Sequence, residues 1–441
     1  MSQQNIIIEK ALITTSNGSD TFDIASVITD IFIYEHIDKP YLTGTLQFLD
    51  TIGVFDQAQF QGLEKFELIL KENAGHPGMG DKRKINRTFV IDEIMDATKS
   101  NDNSELITLH LIEEIGFQST FLNVNKAYSG SSRNILEKII REFHPGIEVS
   151  VDVDEALYPM KLVVPNMTPL AAAQWIKDKT TSSFGTPFYL YSTLNEQNKL
   201  RFESLATILE RGKDISAQKP YTFSRAATAD SMVGPGQQNA PFVISSYTQQ
   251  NLSISDLIAR GFITSEQGYW DTSTASSETT YFAVEDNVAF IEGLDTRFKF
   301  KNSYMYKDEP INRLVGQSKK NYAIHASYPY EAKVSFREME SLNRSLTAKA
   351  LRNILVTGAK TITVSGTNFS FDQKSKTIGN MIKLKFLNNN VSAQSMRDPD
   401  SIVDKVKSGK HMIYSARHNI SLEKYDINLT CVKLDNLEST K

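Results

Sequence analysis

The sequence predicts a β-dominated α+β protein: two antiparallel β-barrels of one kind, a small α+β domain and an inserted β-rich segment. Three observations carry that expectation. Residues 62–73 and 379–389 echo each other, each a glycine followed by an alternating strand, with Phe66, Leu68 and Leu70 on one face in the first copy and Ile382, Leu384 and Phe386 in the second. Each echo leads into a pair of strands, around Ile91 and Leu109 (18 residues apart) and around Ile413 and Leu429 (16 residues apart). The copies begin 317 residues apart, at Gly62 and Gly379, which marks one β unit used twice with material inserted rather than a tandem array. Between them the hydrophobic period changes at Tyr128 from that of strands to that of helices, and polar, Gly/Pro-rich runs punctuate the chain.

Taken in order, residues 6–15, 22–36, 42–50, 64–72, 88–97 and 105–113 carry strand-type residues or alternation. In residues 42–48 the pattern points Leu42, Leu46 and Phe48 inward and Thr43, Thr45 and Gln47 outward. Residues 53–60 form a short connector with helical character. Ser131 or Ser132 caps a helix whose Ile135, Leu136, Ile139, Ile140 and Phe143 make one apolar stripe, with Pro145-Gly146 as its stop. Thr168-Pro169 starts a second helix that carries Trp175 and Ile176. A hairpin follows, with Phe188-Tyr189-Leu190-Tyr191 and Leu200-Arg201-Phe202 flanking the turn-prone residues 195–198.

Residues 211–241 read as a polar linker, 242–263 as strand, and the Ser/Thr-rich residues 271–280 as a solvated loop. The aromatics of 281–340 suggest folded β structure. Leu346, Ala350, Leu351, Ile354 and Leu355 define a helix over 345–355. The second β unit runs through 361–371, 381–387, 412–420 and 425–434, with a polar loop at 388–410. The expected division is 1–124 for the first barrel, 125–215 for the α+β domain, 216–264 for a linker and the start of the second barrel, 265–344 for the inserted segment, and 345–441 for the remainder of the second barrel.

Composition narrows the chemistry. At 441 residues the chain can hold two to four domains, and its net charge of −4 argues against a dedicated nucleic-acid binder. One cysteine, Cys431, excludes an internal disulfide and a CxxC metal site, and its alternating strand points it into a core. The polar N-terminus and the lack of a ~20-residue apolar run predict synthesis in a cytosol with no membrane span.

The seven histidines show no HExxH spacing, so no metal site is expected. Asp152, Asp154 and Glu155 lack the ladder and closing glycine of a calcium loop. The acid pairs Asp92-Glu93 and Glu113-Glu114 announce no sugar cleft, and no GxSxG elbow or Ser/His/Asp set stands out. No catalytic residue, metal ligand or cofactor is predicted.

The strings Tyr128-Ser129-Gly130-Ser131-Ser132-Arg133-Asn134-Ile135-Leu136 and Val164-Pro165-Asn166-Met167-Thr168-Pro169-Leu170, with the following Trp-bearing helix and aromatic hairpin, resemble the α/β domain of tailed-bacteriophage baseplate hubs of the T-even type. The same pattern occurs in the N-terminal part of VgrG-type secretion spikes. Residues 22–115 and the stretch from Met412 through Leu429 are similar to the barrels of such hubs, so the resemblance covers about two-thirds of the chain. It implies two tube-type barrels per chain and a homotrimer of six barrels, which adapts a threefold central spike to a sixfold tail tube in a contractile tail. Expected partners are the spike, tube or tube-initiator proteins, the tape measure and baseplate wedge proteins, with DNA only in transit. The implied location is the virion baseplate, assembled in the host cytoplasm.

The glycine-rich, basic residues 75–84 read as a solvated hairpin loop, and Lys82, Arg83, Lys84 and Arg87 are the alternative candidates to contact a neighbour or line the channel. Two departures accompany the resemblance: no spike sequence is recognisable, and 281–340 has no counterpart. The alternatives are a hub or spike carrier of a phage-derived injection machine, and a receptor- or carbohydrate-binding tail protein.

Overall fold

The computed structural model describes residues 6–51, 53–58, 60–72, 84–101, 104–151, 160–182, 185–213, 215, 219–223, 242–250, 253–261, 263–271, 275–283, 305–306, 308–310, 320–325, 347–366, 377–387, 403–422 and 424–435. The first unit contains β1 (Ile6–Thr14), β2 (Thr21–Asp23), β3 (Ile28–His36), β4 (Thr43–Asp50), the short helix α1 (Val54–Ala58), β5 (Lys65–Glu72), β6 (Lys84–Asn101) and β7 (Ser104–Glu113). The strands are ordered β3–β4–β7–β6–β5–β1–β2, all antiparallel. Alternation decides which side faces in. Leu46 and Phe48 of β4, Phe66, Leu68 and Leu70 of β5, and Leu109 and Leu111 of β7 are wholly buried in one core. Burial of each such side chain contributes roughly 1.5–3 kcal/mol. Gly44 in β4 is required by close approach, since a Cβ there would stand 2.7 Å from the Phe32 carbonyl oxygen.

The α+β domain follows with α2 (Glu114–Ser119), β8 (Ala127–Gly130), α3 (Ser132–Phe143), β9 (Glu148–Val151), β10 (Met160–Val163), α4 (Pro169–Lys179), β11 (Phe188–Tyr191), β12 (Lys199–Ser204) and α5 (Leu205–Lys213). Both predicted caps are present. The Ser131 hydroxyl accepts from the Asn134 N–H at 3.2 Å, and Thr168 caps α4 with Pro169 in its first turn. Leu136 and Ile140 of α3 pack with Phe188 and Phe202 on the β11–β12–β9 sheet, while Ile135 and Ile139 meet Ile176 of α4 on the other side.

The second unit consists of β13 (Tyr221–Phe223), β14 (Ser246–Gln249), β20 (Lys360–Ser365), β21 (Met381–Phe386), β22 (Gly409–Ile420) and β23 (Tyr425–Asp435). Between β14 and β20 lie α6 (Ile254–Ala259), β15 (Thr264–Asp271), β16 (Ser276–Ala283), β17 (Met305–Tyr306), β18 (Glu309–Pro310), β19 (Lys320–His325) and a helix over 347–355. The ladders run β13–β21–β22–β23–β20–β14, which repeats the order β1–β5–β6–β7–β4–β3 of the first unit.

The register repeats as well. Phe66 pairs with Phe89 as Ile382 pairs with His411. In β6 one residue, Asp92, is then skipped between Ile91 and Glu93; in β22 one residue, Tyr414, is skipped between Ile413 and Ser415. A β-bulge thus occupies the same place in both copies. One strand pairing differs, because β13 is parallel to β21 where β1 is antiparallel to β5.

The two units form a single 13-stranded sheet, joined where β22 pairs with β3. Some expectations are corrected. Residues 254–259, expected as strand, are helical, because Ile254, Leu257 and Ile258 fall at helical spacing and Leu257 buries itself in the core. Residues 276–280, expected as loop, are part of the β15–β16 hairpin, where β-branched threonines suit a strand. All of 224–241 and of 388–402, and most of 281–340, lie outside the described residues. No helix among the described residues is long and apolar enough to cross a membrane.

Candidate assembly site

The seam between the units is built from two strands far apart in sequence. Ser415–Ile420 of β22 pair antiparallel with Ile31–His36 of β3. On one face Ile31, Ile33, His418 and Ile420 are wholly buried. On the other, the Arg417 guanidinium lies 4.3 Å from the Phe32 ring centre and 5.9 Å from that of Tyr34, a cation over two aromatic faces. The bulge residue Tyr414 packs edge-on against His36 at 5.0 Å, and its carbonyl accepts from the Ile37 N–H at 3.0 Å. Polar groups line up beneath the seam: His418 Nδ1 is 2.8 Å from the Tyr425 hydroxyl, and its Nε2 is 3.1 Å from Glu35 Oε1. The same Glu35 oxygen accepts from the Leu194 N–H at 2.6 Å.

That last bond leads to a second junction, where the turn between β11 and β12 docks on the first unit. Arg87 of β6 is only 2% exposed. Its Nε donates to the Leu194 carbonyl at 2.8 Å and Nη2 to the carbonyls of Glu196, at 2.6 Å, and Thr193. Nη1 donates to Glu113 Oε1 at 3.1 Å, and the other Glu113 oxygen accepts from the Leu42 N–H at 2.8 Å. Burial pushes the Glu113 carboxyl upward, opposed by the Arg87 charge. A buried cation with four acceptors fixes the α+β domain to the sheet, since planar, multidentate donation is what a guanidinium does best.

Of the four cations that are candidates to meet a neighbour or line a channel, Arg87 is spent on this internal junction. The correction has a plain physical reason: Ile85, Arg87 and Phe89 alternate onto the inward face of β6. Lys84 is exposed and paired with Glu9 at 2.7 Å. Lys82 and Arg83 lie outside the described residues, as do Asp152, Asp154 and Glu155.

The acid pairs do not converge. Glu113 faces Arg87, Glu114 pairs with Lys65 at 3.1 Å, and Asp92 contacts His110 Nδ1 at 2.5 Å. Among the described residues no group of His, Cys, Asp or Glu is placed to hold a metal. What the geometry offers is strand edges and anchored junctions. Sequence reasoning missed Glu35, His418 and Arg417, whose partners across the seam stand nearly four hundred residues away along the chain.

The whole-chain fold, a β unit used twice with an α+β domain between the copies, is similar to that of a solved prophage tail protein. The 43 kDa tail protein of prophage MuSo2 from Shewanella oneidensis matches with a TM-score of 0.51 at 12% identity, over 96% of this chain and 98% of that one. A tail protein of Neisseria meningitidis MC58 covers 96% of each chain at 13% identity, with a TM-score of 0.49. A component of the type VI secretion system of Escherichia coli is also similar, at 8% identity and a TM-score of 0.43, over 93% of this chain and 74% of that one. No protein-family profile and no curated protein matches the chain.

Proposed function

We propose that the chain is the structural hub of a contractile, phage-type tail. In this reading it is a homotrimer in which each chain supplies two tube-type barrels, so that a threefold complex presents six similar units. One face receives a threefold central spike and the other a sixfold tail tube or tube initiator, within the virion baseplate. The tape measure and wedge proteins are further neighbours, and DNA passes only in transit. The work is geometric and makes or breaks no covalent bond.

The observation that carries the reading is the strand order and bulge found twice in one chain. Doubling a unit lets three chains meet a sixfold partner without six copies. The fold held in common with a prophage tail protein supports it. Mass photometry of the purified chain, alone and mixed with its spike protein, tests the proposal. A species of three chains is the expected result; a strict monomer under both conditions overturns it. A hub in a phage-derived injection machine would have the same architecture, and the neighbouring reading frames separate the two.

A further inference from the structure

The seam inside the chain has a counterpart that the chain itself leaves open. Along one edge β22 forms two ladders, Gly409–Met412 with β21 and Ser415–Ile420 with β3. Its equivalent β6 forms only the first, Lys84–Val90 with β5; among the described residues no ladder continues on that edge beyond the bulge at Asp92. The equivalent of β3 is β14, which ends the sheet order. Burial differs accordingly. Ala416, His418 and Ile420 are buried in the seam, whereas residues 92–100 are all exposed, with Ile94 at 38% and Met95 at 53%. A long strand edge with unpaired backbone groups and exposed apolar side chains is a template for another strand.

We infer that Asp96–Lys99 of β6, which follow a further bulge at Met95 that β22 lacks, pair with β14 of a second copy of this chain in the register that Arg417–Ile420 and β3 use within it. The inference rests on the proposed trimer and adds the strands and the alignment. The ladders to β7 and β23 make Thr98 and Lys99 equivalent to Asn419 and Ile420. Those to β4 and β20 make Tyr247 and Thr248 equivalent to Ile31 and Phe32. Inside the chain Ile420 faces Ile31 and Asn419 faces Phe32. Between chains Lys99 therefore faces Tyr247 and Thr98 faces Thr248, a threonine pair that suits antiparallel neighbours.

Each unit then uses one edge of the long-strand kind and one of the β3 kind. The contact is head-to-tail, and six units alternating first–second close a ring from three chains. Asp92, Glu93, Asp96 and Lys99 on the open edge guard it against unspecific strands.

Disulfide trapping tests this directly, because the lone native cysteine, Cys431, is wholly buried and its burial pushes the thiol upward, away from the reactive thiolate. The full-length double variant Thr98→Cys/Thr248→Cys, oxidised and run without reductant, should give covalent dimers and trimers. The offset pair Thr98→Cys/Ser246→Cys should give at least tenfold less. Phe32→Cys/Asn419→Cys, the equivalent pair inside the chain, calibrates the oxidation by closing within single chains.

Mixing the two single-cysteine chains should give a cross-linked dimer that neither gives alone. Independently, Ala97→Pro should reduce the three-chain species at least tenfold while leaving the chain's own unfolding transition in place. A three-chain species in which the 98–248 link fails, or forms no better than 98–246, overturns the strand assignment and leaves the trimer standing. A protein that forms no three-chain species removes both.

Discussion

The two β units share strand order and bulge but differ in what each position is asked to do. Arg87 pairs with Leu68 in the first unit, and the equivalent pair in the second is Gly409 with Leu384. One copy places a buried guanidinium where the other has a glycine, because only the first must hold a docked turn of the α+β domain. The bulge residue is Asp92 in one copy and Tyr414 in the other, exposed in the first and packed against His36 in the second. The link between β3 and β4 is six residues, 37–42, while the equivalent link between β14 and β20 spans 250–359. A ladder fixed by alternation and bulge tolerates large insertions at strand tips, where loop closure costs grow only slowly with length. The difference teaches that the repeat preserves pairing geometry and frees side chains for separate duties.

Substitutions at equivalent positions can break or sharpen that contrast. The largest expected effect is at Arg87→Ala, which strands the buried Glu113 carboxylate and three carbonyls. A loss of about 3–5 kcal/mol follows from removing one partner of a buried pair, measured by urea unfolding. Next is the pair His418 and Ala97, which share one ladder position through Ile427 and Ile107. His418→Ala removes the group facing both Glu35 and Tyr425 and should cost about 1–3 kcal/mol. Ala97→Ser, on the open edge, should leave the chain's own stability within about 0.5 kcal/mol; equal losses at both positions would show that the two edges are not differently used. Smallest is Lys84→Ala, which deletes an exposed ion pair with Glu9 and should change stability by about 0.2–1 kcal/mol, less in high salt.

Much of this was legible in the sequence because strand alternation writes burial directly into residue order. Phe66, Leu68 and Leu70, then Ile382, Leu384 and Phe386, were readable as inward faces and are buried. Ser131 and Thr168 were readable as caps because capping needs a specific residue type at one place. The seam was not legible. A ladder between residues 31–36 and 415–420 leaves no local trace, and a bulge has no composition of its own.

Arg87 was misread for a different reason. It sits close to Lys82, Arg83 and Lys84, and charge suggested a solvated loop. A strict period of two through Ile85, Arg87 and Phe89 would have turned it inward. The α6 helix was hidden in an apolar run too short to separate helix from strand.

The pairing of β22 with β3 also bears on how the chain is made. When a ribosome has finished β3, about 380 residues remain before the partner strand emerges. At roughly 5–20 residues per second, that is an interval of about 20–80 s. Throughout it, the first unit carries an uncovered flank on every nascent chain of a polysome. Prematurely terminated products, which never receive their cover, are therefore the species that chaperones and proteases have most reason to remove.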